Sequence, residues 1–259
     1  MITSTSNNKI KNVIQLSKSS KARREHGSFI VEGVKMFMEA PSMHIKEVYV
    51  SESFLKKAEE SCLKKLKETG YEEVSDAVFK KMAETMTPQG IICVVGKTDE
   101  SLKELIRNYH GKELHVLILE SLQDPGNLGT ILRTAEGAGY DLILANEGTV
   151  DVYNPKVIRS TMGSVYRVPI CYSQDLAQDI KLLKEIGVTV YAAHLKGVNY
   201  YNEETYSDRV AIMIGNEGNG LSDEMAALAD VYVKIPMKGA VESLNAAVAA
   251  AILMYNSVL

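Results

Sequence analysis

Past residue 112 the chain alternates between two hydrophobic periods. Short, nearly continuous apolar runs fall at Leu114–Leu119, Asp141–Ala145, Val168–Cys171, Val188–Ala193, Ala211–Ile214 and Val231–Ile235. Their length and their Val, Ile and Leu content read as strands buried on both faces. Between them, apolar residues recur at helical spacing over Leu128–Ala138, Pro155–Met162, Leu176–Glu185 and Ser222–Ala229, and a last helix is predicted from Leu244 to Val258. Strand and helix in strict alternation predict an α/β fold with a parallel sheet covered by helices.

The N-terminal part is patterned more loosely. Residues 7–17 predict a helix with Ile10, Val13, Ile14 and Leu16 inward, followed by a basic turn, KSSKARREHG. Strands are predicted at Ser28–Gly33, Ile45–Ser51 and Gly90–Gly96, and helices at Val34–Ala40, Glu52–Glu68 and Val78–Glu84. This is a small α/β domain of residues 1–97. A charged linker of residues 98–111, with a short helix at Leu102–Asn108, leads to the second domain at 112–259.

Charge sharpens the picture. Residues 1–27 hold six cations against Glu25 alone, a net +5, so the remainder carries −9 of a total of −4. A basic arm on an acidic body suits a phosphate backbone, and equally a solvated helix face. Three scattered cysteines and five histidines show no disulfide framework or ligand spacing, so no metal is expected. No apolar run reaches the roughly 18 residues of a membrane span, and the polar N-terminus lacks a signal-peptide core. The expected setting is soluble and cytoplasmic.

The candidate chemistry sits where predicted strands hand over to helices, the edge at which open α/β sheets bind ligands. Asn127 to Thr134 (NLGTILRT) follows the turn signal Asp124-Pro125-Gly126. There Asn127 alone reads as a helix N-cap, and Arg133 as a solvent-facing partner of Glu136. Gly129 inside a first helical turn points to a close approach. Ile214 to Leu221 (IGNEGNGL) is a glycine loop with the carboxylate of Glu217 at its centre, and it is neither a dinucleotide nor a triphosphate loop. Ile235 to Asn245 (IPMKGAVESLN) ends with Ser243 or Asn245 opening the final helix, Ser243 being a natural N-cap.

In this order and spacing the three segments resemble the signature motifs of the SpoU/TrmH-type RNA 2′-O-ribose methyltransferases of the SPOUT superfamily. N-x-G-x-x-x-R-T falls on Asn127, Gly129, Arg133 and Thr134. I-G-x-E-x-x-G-L falls on Ile214, Gly215, Glu217, Gly220 and Leu221. I-P-M…S-L-N falls on Ile235, Pro236, Met237, Ser243, Leu244 and Asn245. More loosely, Asn8, Ile10 or Lys11, Leu16, Arg23 or Arg24, Gly27, Phe29, Val31, Glu32 and Gly33 are similar to the substrate-binding domain such enzymes carry, which has a fold like that of ribosomal protein L30e.

The resemblance implies a C-terminal domain threaded into a trefoil knot, S-adenosylmethionine as cofactor, and a homodimer, which the uncharged last helix fits. It implies Arg133 as the central catalytic residue, with Asn127, Glu217, Ser243 and Asn245 orienting the ribose. The cofactor walls would be Ala193, His194, Leu195, Gly215, Asn216, Glu217, Gly220, Ile235, Met237, Ser243 and Leu244. Lys18, Lys21, Arg23 and Arg24 would grip RNA. The expected substrate is ribosomal RNA of the 23S type. The alternatives are transfer RNA, methylation of a base instead of a ribose, and a catalytically silent RNA-binding or ribosome-assembly protein.

Overall fold

The structure, a computed structural model, describes residues 1–98, 101–195, 197 and 199–259. It divides into two compact units. One is Met1–Thr98 with Tyr153–Tyr166, and the other is Asp99–Val152 with Arg167–Leu259.

In the first unit, β1 (Ser28–Glu32), β2 (Ile45–Ser51), β3 (Glu72–Val74) and β4 (Ile91–Gly96) form a sheet in the order β1-β4-β2-β3. β4 is antiparallel to both its neighbours, and β3 adds a parallel edge to β2. The helix Asn8–Lys18 buries Ile10, Val13 and Leu16 completely, in a core shared with Tyr49, Phe79 and Ile92. Its expected inward face is therefore observed.

The basic stretch after it is a second helix, Ser20–His26, not a turn. Ser19 caps it by accepting from the Ala22 N–H at 3.2 Å, and Gly27 closes it at φ +53°, a left-handed conformation that glycine adopts without a Cβ clash. This corrects the reading of Arg23. Its side chain is only 3% exposed, and its guanidinium donates to the carbonyls of Leu16 (2.8 Å) and Ser17 (3.2 Å), orphan acceptors at the end of the preceding helix. Lys18, Lys21 and Arg24 are exposed. The predicted helix Glu52–Glu68 is two, Glu52–Leu55 and Glu60–Thr69.

In the second unit, β5 (Leu114–Leu119), β6 (Leu142–Asn146), β7 (Ile170–Ser173), β8 (Thr189–Ala193), β9 (Asn199–Tyr200), β10 (Arg209–Ile214) and β11 (Val231–Lys234) form one sheet in the order β7-β6-β5-β10-β8-β11-β9. Every pairing is parallel. Alternate residues face opposite sides. Val116, Ile118, Leu144 and Met213 pack with Leu176, Ile180 and Leu183 of the helix Leu176–Glu185. Leu117, Ile143 and Ile212, also fully buried, face the other side, where the helix Ala246–Ser257 contacts both β10 and the helix Pro125–Gly137. The α/β class and the parallel sheet thus stand as expected.

Two placements differ from the sequence reading. The helix Pro155–Thr161, expected among the crossovers of this sheet, belongs to the first unit, where it contacts β1. The helix Leu102–Asn108, expected in the linker, buries Leu102 in the second unit's core. The last helix is not buried all round either, because Val248 is 48% exposed and Tyr255 45%. No helix among the described residues is long and apolar enough to cross a membrane.

Because the Arg23 guanidinium satisfies two helix-end carbonyls away from solvent, Arg23→Ala should lower the unfolding free energy by about 2 kcal/mol in urea titration. Lys18→Ala and Arg24→Ala, both on the exposed surface, should stay within about 0.5 kcal/mol of the parent.

Candidate active site

Since the sheet is parallel, the carboxyl ends of β5, β8, β10 and β11 share one edge. The chain leaves them at Leu119, Ala193, Ile214 and Lys234. Segments from the last three line a cavity of about 270 Å³. That is just under the roughly 300–1,000 Å³ typical of ligand pockets. Ala193, His194 and Leu195 form one wall, and Gly215, Asn216, Glu217 and Gly220 a second. Ile235, Met237, Ser243 and Leu244 form the third.

The second wall is a loop folded back on itself. The Asn216 N–H donates to the Gly220 carbonyl at 3.0 Å and the Gly220 N–H returns to the Asn216 carbonyl at 2.9 Å. Inside this ring the Asn216 side-chain oxygen accepts from the N–H groups of Gly218 (2.9 Å) and Asn219 (3.2 Å). The closure leaves no room at Gly215. A Cβ there would lie 2.1 Å from the Gly220 carbonyl carbon and 2.2 Å from the Leu221 nitrogen, both backbone atoms that cannot swing aside.

Glu217 joins this loop to the other two segments. One carboxylate oxygen accepts from the Gln123 N–H at 3.0 Å. The other accepts from the Asp124 N–H at 2.9 Å and from the Asn127 side-chain amide at 3.0 Å. Asn127 in turn accepts from the Asn245 side-chain amide at 2.9 Å, and Asn245 caps the last helix through the N–H groups of Ala247 (2.9 Å) and Val248 (3.3 Å). Partial burial alone would raise the Glu217 pKa. The donors on Gln123, Asn127 and Asp124 outweigh it and hold the carboxyl below its ordinary value. Both carboxylate oxygens of Glu217 thus accept hydrogen bonds from the segment that follows β5.

Several readings of single residues change here. Asn127 is not the N-cap. Asp124 is, accepting from the Asn127 N–H at 2.8 Å with Pro125 at the first helical position, so the Asn127 side chain is left to bridge. Asp-Pro is itself a helix-start signal, read from sequence only as a turn. Ser243 is not a cap either, since Asn245 takes that place and Ser243 is left exposed on the cavity wall. Glu136 pairs with Arg167 rather than Arg133. Arg133 is exposed on its helix and does not line the cavity, and no carboxylate among the described residues pairs with it. Lys18, Lys21, Arg23 and Arg24 all belong to the first unit. Sequence reading missed Gln123 and Asp124 as partners of Glu217, a contact made by their backbone N–H groups and without a side-chain signature. It also missed Glu242, which lines the cavity.

Residues 114–255 match the model of the SpoU rRNA Methylase family. The chain belongs to that family. Residues 7–93 match the MRM3-like substrate binding domain, so both halves of this SpoU methylase are accounted for. It is 35% identical over 260 residues to the 23S rRNA (guanosine(2553)-2'-O)-methyltransferase RlmP of Bacillus subtilis, covering 98% of each chain. It is 29% identical to the mitochondrial rRNA methyltransferase 3A of Danio rerio, over 96% of this chain and 68% of that one. A crystal structure of an AdoMet-bound rRNA methyltransferase from Sinorhizobium meliloti superposes with a TM-score of 0.83 at 30% identity, over 99% of this chain and 96% of the other.

Two outcomes follow. Gly215→Ala should abolish ligand binding at the cavity, read by calorimetry, because the clash is with backbone. Glu217 has a depressed folded-state pKa, so its contribution to stability is complete above its ordinary value of 4.5 and is lost as pH falls through the lower folded value. Glu217→Gln should remove that acid transition from the pH profile of unfolding, since an amide does not titrate in this range.

Proposed function

We propose that this chain transfers a methyl group from S-adenosylmethionine to a ribose 2′-hydroxyl of ribosomal RNA. The observation that carries the reading is the Glu217–Asn127–Asn245 chain of hydrogen bonds, which joins all three motif segments, Glu217 itself lining the cavity. That cavity fits the cofactor in kind. Ile214, Ile235, Met237 and Leu244 offer apolar surface to an adenosine, backbone groups of the glycine loop offer polar contacts, and the carboxylate of Glu242 suits a cation. Bound there, S-adenosylmethionine would supply an electrophilic methyl group.

The chain's own residues then have to hold and activate the hydroxyl. A ribose hydroxyl is a poor nucleophile until its proton leaves. A guanidinium stays charged at neutral pH and cannot take that proton. Arg133 is therefore assigned to clamping the neighbouring RNA phosphate and stabilising the developing alkoxide, with the phosphate as proton acceptor. Asn127 and Asn245, already oriented by Glu217, fix the ribose, and such placement contributes on the order of 7–11 kcal/mol to lowering a barrier. Ser243, exposed on the wall, orients the same group.

Lys18, Lys21 and Arg24 are exposed on the first unit and are read as phosphate contacts. Lys21 also lies 3.8 Å from Glu25, an exposed pair too weak to compete with RNA. The half-exposed apolar residues Val248 and Tyr255 of the last helix are assigned to a second copy of the chain. A threaded C-terminal segment is assigned from the resemblance together with the strand order, in which β10 lies between β5 and β8.

Incubation with radiolabelled S-adenosylmethionine and either ribosomal or transfer RNA, followed by mapping of the modified atom, should give a 2′-O-methyl group in ribosomal RNA. A methylated base, a transfer RNA product or no product would overturn the reading. Arg133→Lys, which keeps the charge but loses the planar fork, should retain far less than half the activity.

A further inference from the structure

We propose that Asn146, at the carboxyl end of β6 and outside the cavity, is a positioning residue that sets two of the site's segments against each other. The proposal rests on the reading of the cavity as the methyl-donor site.

Ser121, which follows β5 by two residues, has φ +55°. A non-glycine residue rarely adopts this left-handed conformation, and here something must hold it. Asn146 does so with both ends of its amide. Its oxygen accepts from the Ser121 N–H at 2.8 Å, and its NH₂ donates to the Ser121 hydroxyl at 2.9 Å. Thr149, 5% exposed, donates to the same Asn146 oxygen at 3.0 Å and fixes the amide's orientation.

Held in this way, Ser121 serves both sides of the site. Its carbonyl accepts from the Asn216 side chain at 2.8 Å, and that same side chain organises the glycine loop through Gly218 and Asn219. Ser121 also sets the direction of the next residues. Two and three positions on, the N–H groups of Gln123 and Asp124 reach Glu217, and Asp124 caps the helix that carries Asn127. One amide therefore fixes the turn from which the ribose-orienting segment and the cavity wall are both hung. The resemblance to the family motifs does not include Asn146, and it lines no part of the cavity.

The test uses the full chain. Asn146→Ala should weaken S-adenosylmethionine binding about tenfold by calorimetry, equivalent to about 1.4 kcal/mol. Its melting temperature should move by only a few degrees. Amide hydrogen exchange at Gly218 and Asn219 should speed up with no cofactor present. Asn146→Asp keeps the acceptor for the Ser121 N–H and can accept from its hydroxyl, so it should bind within about threefold of the parent. Adding Ser121→Gly to Asn146→Ala should recover most of the affinity, because glycine adopts φ +55° without the steric cost that Ser121 bears.

Unchanged binding and exchange in Asn146→Ala would overturn the proposal. So would an Asn146→Asp variant as impaired as Asn146→Ala together with no recovery by Ser121→Gly, the mark of a general loss of stability. If Asn146→Ala does not fold, Asn146→Thr is read in the same way, with intermediate loss expected and parental values overturning. Should the parent itself fail to bind S-adenosylmethionine, the functional reading falls, while the exchange of Gly218 and Asn219 still decides the role of Asn146.

Discussion

A single carboxylate holds the candidate site together. Glu217 sits on a loop that leaves β10, and its acceptors are filled by groups from the segment that leaves β5. Without a fixed anion at that point, the N–H groups of Gln123 and Asp124 would face solvent and the Asn127 amide would have no reason to turn toward Asn245. The depressed pKa of Glu217 reports the same fact energetically, because the donors stabilise the charge by more than partial burial destabilises it. A site whose polar groups already satisfy one another need not reorganise when substrate arrives, and preorganisation of that kind lowers a barrier.

The network depends on parallel topology. Only strands running the same way deliver their carboxyl ends, and hence their loops, to one edge. The position of β10 between β5 and β8 then makes neighbours of segments more than 90 residues apart, such as Gln123 and Glu217. The sheet's two apolar faces are what permit this order. Val116 and Met213 on one side, and Leu117 and Ile212 on the other, are fully or almost fully buried, so register cannot slip without exposing one set.

The motifs that resemble a methyltransferase turn out to divide their labour between chemistry and architecture. Gly215 is required by the approach of its own loop's backbone. Asn245 is both a helix cap and a partner of Asn127. In the basic arm the split is sharper, for Arg23 is structural while its neighbours Lys18, Lys21 and Arg24 remain on the surface. Motif membership therefore identifies a position under constraint without saying which constraint applies.

The strands at Leu114–Leu119 and Ile45–Ser51 and the helix Leu176–Glu185 coincide with their sequence expectations because hydrophobic period is a local property and survives folding. The three site segments were legible through their order and spacing, which resemble the family's motifs; singly, Asn127 and Ser243 read only as helix caps. The chain by itself thus determined the α/β class, the alternation of elements and the three segments that carry most of the cavity's expected walls, though not Glu242. Tertiary structure alone decided that the helix Pro155–Thr161 groups with the N-terminal residues, that Arg23 turns inward, and that Ser121 takes a left-handed turn under the hold of Asn146. Each of these depends on a partner remote in sequence or on a backbone N–H, and neither leaves a trace in the order of side chains.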